Sequence, residues 1–243
     1  MRIPRIFTPQ PLPADQTIQP EPAAAHHLRR VLRLRPGQEV ILFNGDGRNY
    51  RARLVSSTEE APLLHIEAAG PEQPPPALEL RLAIGISKGE RMDWVVQKAV
   101  ELGVTEITPL FTEHGVVQLQ GERLARRLEH WRGVLIGACE QCGRNRLPRL
   151  QPALQLAEWL RRRAEGPAIL LDHRAPLALP QLPPPAGGLT LLVGAEGGLS
   201  EAEQALALAQ GLQGVRLGPR VLRTETAPLA ALAAIQALWG DFR

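Results

Sequence analysis

The residues best suited to chemistry lie near the C-terminus, in Leu217-Gly218-Pro219-Arg220-Val221-Leu222-Arg223-Thr224-Glu225-Thr226-Ala227-Pro228. A β-like run, Gly214-Val215-Arg216-Leu217, precedes them. An apolar helix follows, with Leu229, Leu232, Ile235 and Leu238 at three-residue steps. Gly218-Pro219 stops the strand, because glycine permits a sharp turn and proline fixes φ and withholds a donor. Thr224 or Thr226 can cap the helix, and Pro228 is tolerated in a first turn. Arg223, Thr224 and Glu225 therefore sit where a strand hands over to a helix N-terminus. Free backbone N–H groups collect at such a place, and ligands gather there in open α/β sheets. Taken alone, the turn could equally be an ordinary helix start with solvated arginines. A second turn of the same kind, Gly194-Ala195-Glu196-Gly197-Gly198-Leu199-Ser200, follows the run 189–193 and carries an S-x-x-E capping box in Ser200 and Glu203. Two such turns so close together suggest two walls of one pocket.

These turns need a sheet to hold them. Residues 80–86 read as a buried strand, 91–102 as a helix, 106–111 as a strand, 122–141 as a long helix, 154–164 as a helix and 168–171 as a strand. The two motif-bearing strands come after them. Alternation of this kind predicts an α/β fold, a parallel sheet with helices on both faces. The pocket then lies at the C-terminal end of the sheet, walled by Leu171-Asp172-His173-Arg174, by 194–199 and by 217–226. His173 lacks an evident partner and reads as a loop histidine. Ahead of this, residues 1 to about 70 read as a small β-rich domain. Val40-Ile41-Leu42-Phe43, residues 50–55 and residues 63–67 are its strands, and Asn44-Gly45-Asp46-Gly47 is a hairpin turn. Residues 23–34 have helical character, with Arg29, Arg30, Arg33 and Arg35 crowding the side away from Leu28 and Val31. That cluster is either a solvated face or a phosphate-binding patch. Gly70-Pro71-Glu72-Gln73-Pro74-Pro75-Pro76 is a stiff break that divides the chain into 1–72 and 73–243.

Composition sets limits. The chain of 243 residues is 44% hydrophobic and 22% charged, with a net charge of +3, so it can bury a sizeable core and is only mildly basic. Among its basic residues only Lys88 and Lys98 are lysines, and arginine offers a planar fork suited to phosphate contacts. No run of about 18 apolar residues predicts a membrane span, and no apolar stretch after the N-terminus predicts a secretory signal. A cytoplasmic protein is expected. Cys139 and Cys142 form a lone C-x-x-C with no second pair and no histidine spacing for zinc, so no metal is expected and the thiols read as reduced. There is no G-x-G-x-x-G dinucleotide fingerprint, no P-loop and no G-x-S-x-G elbow.

Residues 218–227 resemble the signature of the RsmE family, small-subunit ribosomal RNA methyltransferases that act on N3 of a uridine and belong to the SPOUT superfamily. The resemblance extends over the whole chain. Ser87-Lys88-Gly89-Glu90-Arg91-Met92-Asp93-Trp94 through Lys98-Ala99, with Glu101-Leu102-Gly103-Val104, is similar to the family's central motif. Glu140-Gln141-Cys142-Gly143-Arg144-Asn145 with Pro148 is similar to another. Where the family usually shows Gly-Pro-Glu-Gly-Gly, Ala195 replaces the proline.

The resemblance implies a C-terminal SPOUT-type domain with a deep trefoil knot, an N-terminal PUA-like β-barrel, a homodimer, and S-adenosylmethionine bound in the knot. Its substrate would be 16S ribosomal RNA of the small ribosomal subunit. Gly194, Gly197, Gly198 and Gly218 would let backbone approach the adenosine. Leu171, Val193, Leu217 and Leu222 would give its base an apolar slot, with Glu196, Thr224 and Ala227 also in the cofactor site. Arg223 would stabilise the uracil as its N3 proton leaves. Glu225 would orient Arg223, relay the proton, or only favour the helix N-terminus. Arg29, Arg30, Arg33, Lys88, Arg91 and Arg144 would hold RNA. Two other readings stay open at this point: a non-enzymatic RNA-binding assembly factor, and a SPOUT enzyme acting on another atom, such as a transfer-RNA ribose 2′-oxygen.

Overall fold

The computed structural model describes residues 3–57 and 62–242, which fall into two compact units. The first comprises the described part of Met1–Pro75 together with Ile136–Leu147. Its elements are β1 (Arg5–Phe7), β2 (Thr17–Ile18), α1 (Pro22–His26), β3 (Glu39–Phe43), β4 (Tyr50–Ser57) and β5 (Pro62–Ala69). They form a five-stranded sheet in the order β1-β3-β4-β5-β2, with β1 parallel to β3 and the other pairs antiparallel. Residues alternate about the sheet, so Val40, Leu42, Ala52, Leu54, Leu64 and Ile66 are buried together and Leu28 packs on them. The β3–β4 turn is held by its own side chains. Asp46 N–H donates to Asn44 Oδ1 at 3.2 Å and Arg48 N–H to Asp46 Oδ1 at 2.7 Å.

The helix expected over 23–34 is shorter and changes pitch. After α1 the chain forms a π-helical turn, His27–Val31, in which the Leu32 N–H reaches back five residues to His27 O. Arg33 then takes a left-handed φ of 52°, which a right-handed helix cannot contain.

The sequence division at 72/73 assigns 136–147 to the second domain, whereas the structure groups them with the first unit. Glu140 Oε1 accepts the Phe7 N–H at 3.0 Å, Asn145 Nδ2 donates to Gly47 O at 2.8 Å, and Arg146 Nη2 pairs with Glu72 at 2.8 Å. Burial pushes the Cys139 thiol up to about 12, so it is inert at neutral pH. Cys142 is also a free thiol.

The second unit spans Pro76–Leu135 and Pro148–Arg243. Its strands are β6 (Glu79–Gly85), β7 (Glu106–Phe111), β8 (Arg149–Leu150), β9 (Leu154–Gln155), β10 (Ala168–Leu171), β11 (Gly188–Val193) and β12 (Gln213–Val215). Its helices are α2 (Glu90–Glu101), α3 (Gly121–Cys142, which ends in the first unit), α4 (Leu156–Arg162), α5 (Glu201–Ala209) and α6 (Thr226–Trp239). All strand pairs are parallel, in the order β12-β10-β11-β6-β7-β8, with β9 also on β7. The two-residue strands β8 and β9 carry too short a pattern to be anticipated, and β9 takes the first turn of the helix expected from 154.

Successive strands are buried on both faces, as parallel sheets require: Leu80, Leu82, Ala83 and Ile84 in β6, Ile107 and Leu110 in β7, Leu189, Leu191 and Leu192 in β11. From β6 the chain leaves toward β7, and from β11 it leaves the other way toward β12. The neighbours β11 and β6 therefore mark a switch point, where a crevice opens at the carboxyl ends of the strands. Helix α6 returns to pack on α2 and β11. Among the described residues no helix is long and apolar enough to cross a membrane, and no cluster of three His, Cys, Asp or Glu side chains could hold a metal ion.

Candidate active site

A cavity of about 520 Å³ opens at the carboxyl ends of β10, β11 and β12, within the range of small-molecule sites. Its apolar lining comes from Leu170 and Leu171, Val193 and Leu199, and Val215, Leu217 and Leu222. Polar side chains around it include Asp172, His173, Glu196, Gln204 and Thr224.

The turn after β11 is closed on itself. Gly198 N–H donates to Ala195 O at 2.9 Å, with Gly198 at φ 69°. Ser200 then caps α5: Glu203 N–H donates to Ser200 Oγ at 3.2 Å and Ser200 N–H to Glu203 Oε2 at 2.9 Å, the capping box expected from sequence. The glycines are packed for a reason that their sequence context does not show. A Cβ on Gly194 would lie 2.7 Å from Gly198 C, and one on Gly197 would lie 2.7 Å from His114 Cβ. His114 Nδ1 is 3.0 Å from Gly197 O. A carbonyl only accepts, so Nδ1 carries the hydrogen. The loop after β7 thereby folds over this turn, and Glu113 N–H adds a bond to Glu203 Oε1 at 2.9 Å.

The turn after β12 is built differently. Gly218 takes φ 109°, and a Cβ there would meet nothing within 4 Å. Val221 is 74% exposed, and Arg220 and Arg223 are exposed as well. The expected threonine cap does not form. Thr226 is already helical, Glu225 is the N-cap without a side-chain bond, and Thr224 Oγ1 donates instead to Gly194 O at 3.2 Å. Thr224 Oγ1 also lies 3.3 Å from the buried Ser87 Oγ, at the end of β6. The turn is tied to the strand ends because its hydroxyl bonds another turn and not its own helix.

The third wall, after β10, is an Asx-type turn. Asp172 Oδ1 accepts Arg174 N–H at 2.9 Å, and Arg174 Nη2 reaches Gln204 Oε1 at 3.0 Å. His173, expected as a loop histidine, lines the cavity from this turn.

Of the cofactor residues expected from sequence, Leu171, Val193, Gly194, Glu196, Gly197, Gly198, Leu217, Leu222, Thr224 and Ala227 line the cavity. Gly218 does not, and neither do Arg223 and Glu225, the residues expected to be catalytic. Lys88 and Arg91 stand at the β6–α2 junction, where the Lys88 N–H (2.8 Å) and Arg91 Nη1 (3.1 Å) both donate to Glu196 Oε1. Burial raises the Glu196 carboxyl, but these donors and its own backbone N–H outweigh burial and hold it below the usual carboxylate range. Arg29, Arg30, Arg33 and Arg144 belong to the first unit. Arg30 and Arg33 are exposed there, and Arg29 and Arg144 are half-buried. Sequence reasoning missed His114, Ser87 and Gln204. Ser87, directly after a buried strand, could have been found. Nothing local marks His114, whose loop folds over Gly197 only in three dimensions.

The family model of an RNA methyltransferase domain matches residues 73–236, and that of an RNA methyltransferase PUA domain matches 20–67. A parallel sheet with a cavity at its carboxyl ends is thus that of an RNA methyltransferase. The ribosomal RNA small subunit methyltransferase E of Buchnera aphidicola (subspecies Schizaphis graminum) is 34% identical over 99% of this chain and 98% of its own length. A ribosomal RNA small subunit methyltransferase E of Neisseria gonorrhoeae, solved with S-adenosylmethionine bound, superposes with a TM-score of 0.93 at 38% identity over 100% of both chains. A methyltransferase of Legionella pneumophila, solved with the same cofactor, superposes with a TM-score of 0.95 at 37% identity, again over 100% of both chains. The chain belongs to the ribosomal RNA small subunit methyltransferase E family.

Proposed function

We propose that the protein transfers a methyl group from S-adenosylmethionine to N3 of a uridine in 16S ribosomal RNA of the small ribosomal subunit, in the cytoplasm. The observation that carries this is the cavity at the three strand ends, in a chain covered from end to end by relatives solved with that cofactor. The residues present fit the cofactor. Leu171, Val193, Leu217 and Leu222 offer an apolar slot for an adenine. The turn after β11, with no room for side chains at Gly194 and Gly197, presents bare backbone. Bound there, S-adenosylmethionine supplies an electrophilic methyl on a sulfonium.

The protein's own work is alignment and management of the N3 proton. Arg223 supplies positive charge where negative charge develops on the uracil, and its backbone is fixed because Arg223 O accepts both Thr226 and Ala227 N–H at 2.9 Å. Glu225, within ion-pair distance of Arg91, serves the helix N-terminus and the placement of Arg223. The first unit is a PUA-like RNA-binding barrel in which Arg29, Arg30 and Arg33 contact phosphates, and Lys88 and Arg144 are further phosphate contacts near the site of methyl transfer. The second unit, Pro76–Leu135 with Pro148–Arg243, is the methyltransferase domain, whose segment 217–226 and α6 close a deep trefoil knot. The enzyme works as a homodimer, for which the exposed apolar side chains of Trp94 (47%) and Val221 (74%) provide contact surface.

The test is mass spectrometry of small-subunit ribosomal RNA from a strain lacking the gene. One N3-methyluridine should vanish and return on complementation. An unchanged ribosomal RNA, or a lost ribose methyl in transfer RNA, would overturn the reading.

A further inference from the structure

Arg91 lies in the first turn of α2, and sequence placed it among the phosphate contacts. Its Nη1 lies 3.1 Å from Glu196 Oε1 and its Nε 3.9 Å from Glu225 Oε2. Glu196 belongs to the turn after β11, and Glu225 is the N-cap of α6 after β12. One guanidinium therefore faces a carboxylate from each of the two turns that flank the cavity. Facing two anions, it offers little net positive potential to a distant phosphate. What it does offer is a planar fork whose donors point in fixed, separate directions, which a lysine lacks.

A second, neutral tie joins the same parts: Thr224 Oγ1 bonds Gly194 O and approaches Ser87 Oγ. The two turns are thus joined twice, once through the Thr224 hydroxyl, which also approaches Ser87 of the β6–α2 junction, and once through the charge of Arg91. Arg223 lies one residue before Thr224 and two before Glu225, so the direction of its side chain depends on both ties. Glu196 also lines the cavity, so the charged tie runs from the cofactor-facing turn to the turn that carries Arg223.

We propose that Arg91 is a positioning residue that couples the cofactor-holding turn at Glu196 to the Arg223-Thr224-Glu225 turn, an inference that rests on the methyltransferase reading above. It touches neither substrate nor cofactor. It makes the placement of Arg223 depend on the state of the cofactor-facing turn.

The test compares Arg91→Ala and Arg91→Lys with wild type by cofactor calorimetry, RNA binding against salt, single-turnover methylation at saturating cofactor and RNA, and denaturant unfolding. Arg91→Ala should slow the saturated turnover on the order of 10- to 10²-fold, as misplacement of a reacting group does. It should leave the unfolding midpoint nearly unchanged, because exposed ion pairs contribute little to stability. The RNA salt slope should not move. Arg91→Lys should recover only part of the rate, since a point charge holds one carboxylate and not both. In a Glu196→Gln, Glu225→Gln background, Arg91→Ala should have no further effect on the rate. A shallower RNA salt slope, by about one phosphate contact, with the saturated rate intact would make Arg91 an RNA contact and overturn the proposal. So would an unchanged saturated rate in an assay where wild type methylates. Wild type that binds no cofactor and methylates nothing would overturn the methyltransferase reading itself, a result seen without any variant.

Discussion

The turn at 194–200 is closed by a bond between Gly198 N–H and Ala195 O and ends on a side-chain cap, whereas the turn at 217–225 is closed only at its end, where Arg223 O accepts the Thr226 N–H, and has no such cap. In the first, Gly194 and Gly197 are required because neighbouring atoms leave no room, a Cβ on Gly194 meeting Gly198 C at 2.7 Å, while Gly198 serves by its φ of 69°. In the second, Gly218 stands in open space and is required by its φ of 109°. The first is shaped by packing and the second by backbone conformation plus contacts to other strand ends through Thr224. Similar sequence signals, glycine turns between a strand and a helix, therefore produce a self-supporting wall and a wall that depends on its neighbours. Both turns line the cavity, and the proposed catalytic side chain, Arg223, belongs to the second.

Substitutions at five positions and the titration of Glu196 probe that contrast, from the largest expected effect to the smallest. Arg223→Ala should lower single-turnover methylation roughly 10²–10³-fold, as loss of one preorganised donor does. Its cofactor dissociation constant should stay at the wild-type value, because Arg223 does not line the cavity. Equal loss of cofactor affinity would merge the two walls into one function. Gly194→Val should act through the cavity: forcing atoms into a packed turn costs about 1–3 kcal/mol, read as weaker cofactor binding in calorimetry and a lower unfolding midpoint. Wild-type affinity here would show that the turn after β11 can yield.

Gly218→Ala should cost on the order of 1–2 kcal/mol from backbone strain alone. Gly218→Val should cost more, because a β-branched side chain is strained further at a positive φ even with no atom within 4 Å of its Cβ. An alanine variant as stable as wild type would contradict a requirement set by φ. Ser200→Ala removes the α5 cap and should destabilise by about 1 kcal/mol, while Thr226→Ala, with no cap to lose at α6, should stay within about 0.5 kcal/mol. Thermal unfolding of the pair checks this directly. The smallest effect belongs to Glu196. Its carboxyl is held below the usual range in the folded chain. Its interactions therefore contribute above the unfolded value of ~4.3 and are lost as pH falls through the lower folded value. Glu196→Gln should flatten that acid limb of the stability profile, and an unchanged limb would remove Glu196 from the tie between the turns.

The chain's own pattern carried much of the reading. Buried strands such as 80–84 and 168–171 declare themselves by continuous apolar runs, and Ser200 with Glu203 declares a helix start by spacing alone. Elements that depend on distant partners were not legible. β8 and β9 are two residues each and exist only because β7 offers an edge to pair with. Thr224 looks like a helix cap and is not one, because Gly194 O lies closer to hand in three dimensions.

The sequence by itself determined the alternation of strands and helices, the two glycine turns, the break near 70–76 and, through the motifs at 87–104, 140–148 and 218–227, the family. These are local properties, written in periodicity, turn chemistry and residue order. Only the tertiary structure decided that 136–147 belong with the N-terminal unit, that His114 covers Gly197, that Arg223 stands outside the cavity its neighbours line, and that Arg91 faces Glu196 and Glu225. Each of these is a contact between residues far apart in the chain, set by the parallel crossovers that bring three strand ends together or by the packing of the end of α3. No local rule of spacing encodes such a meeting.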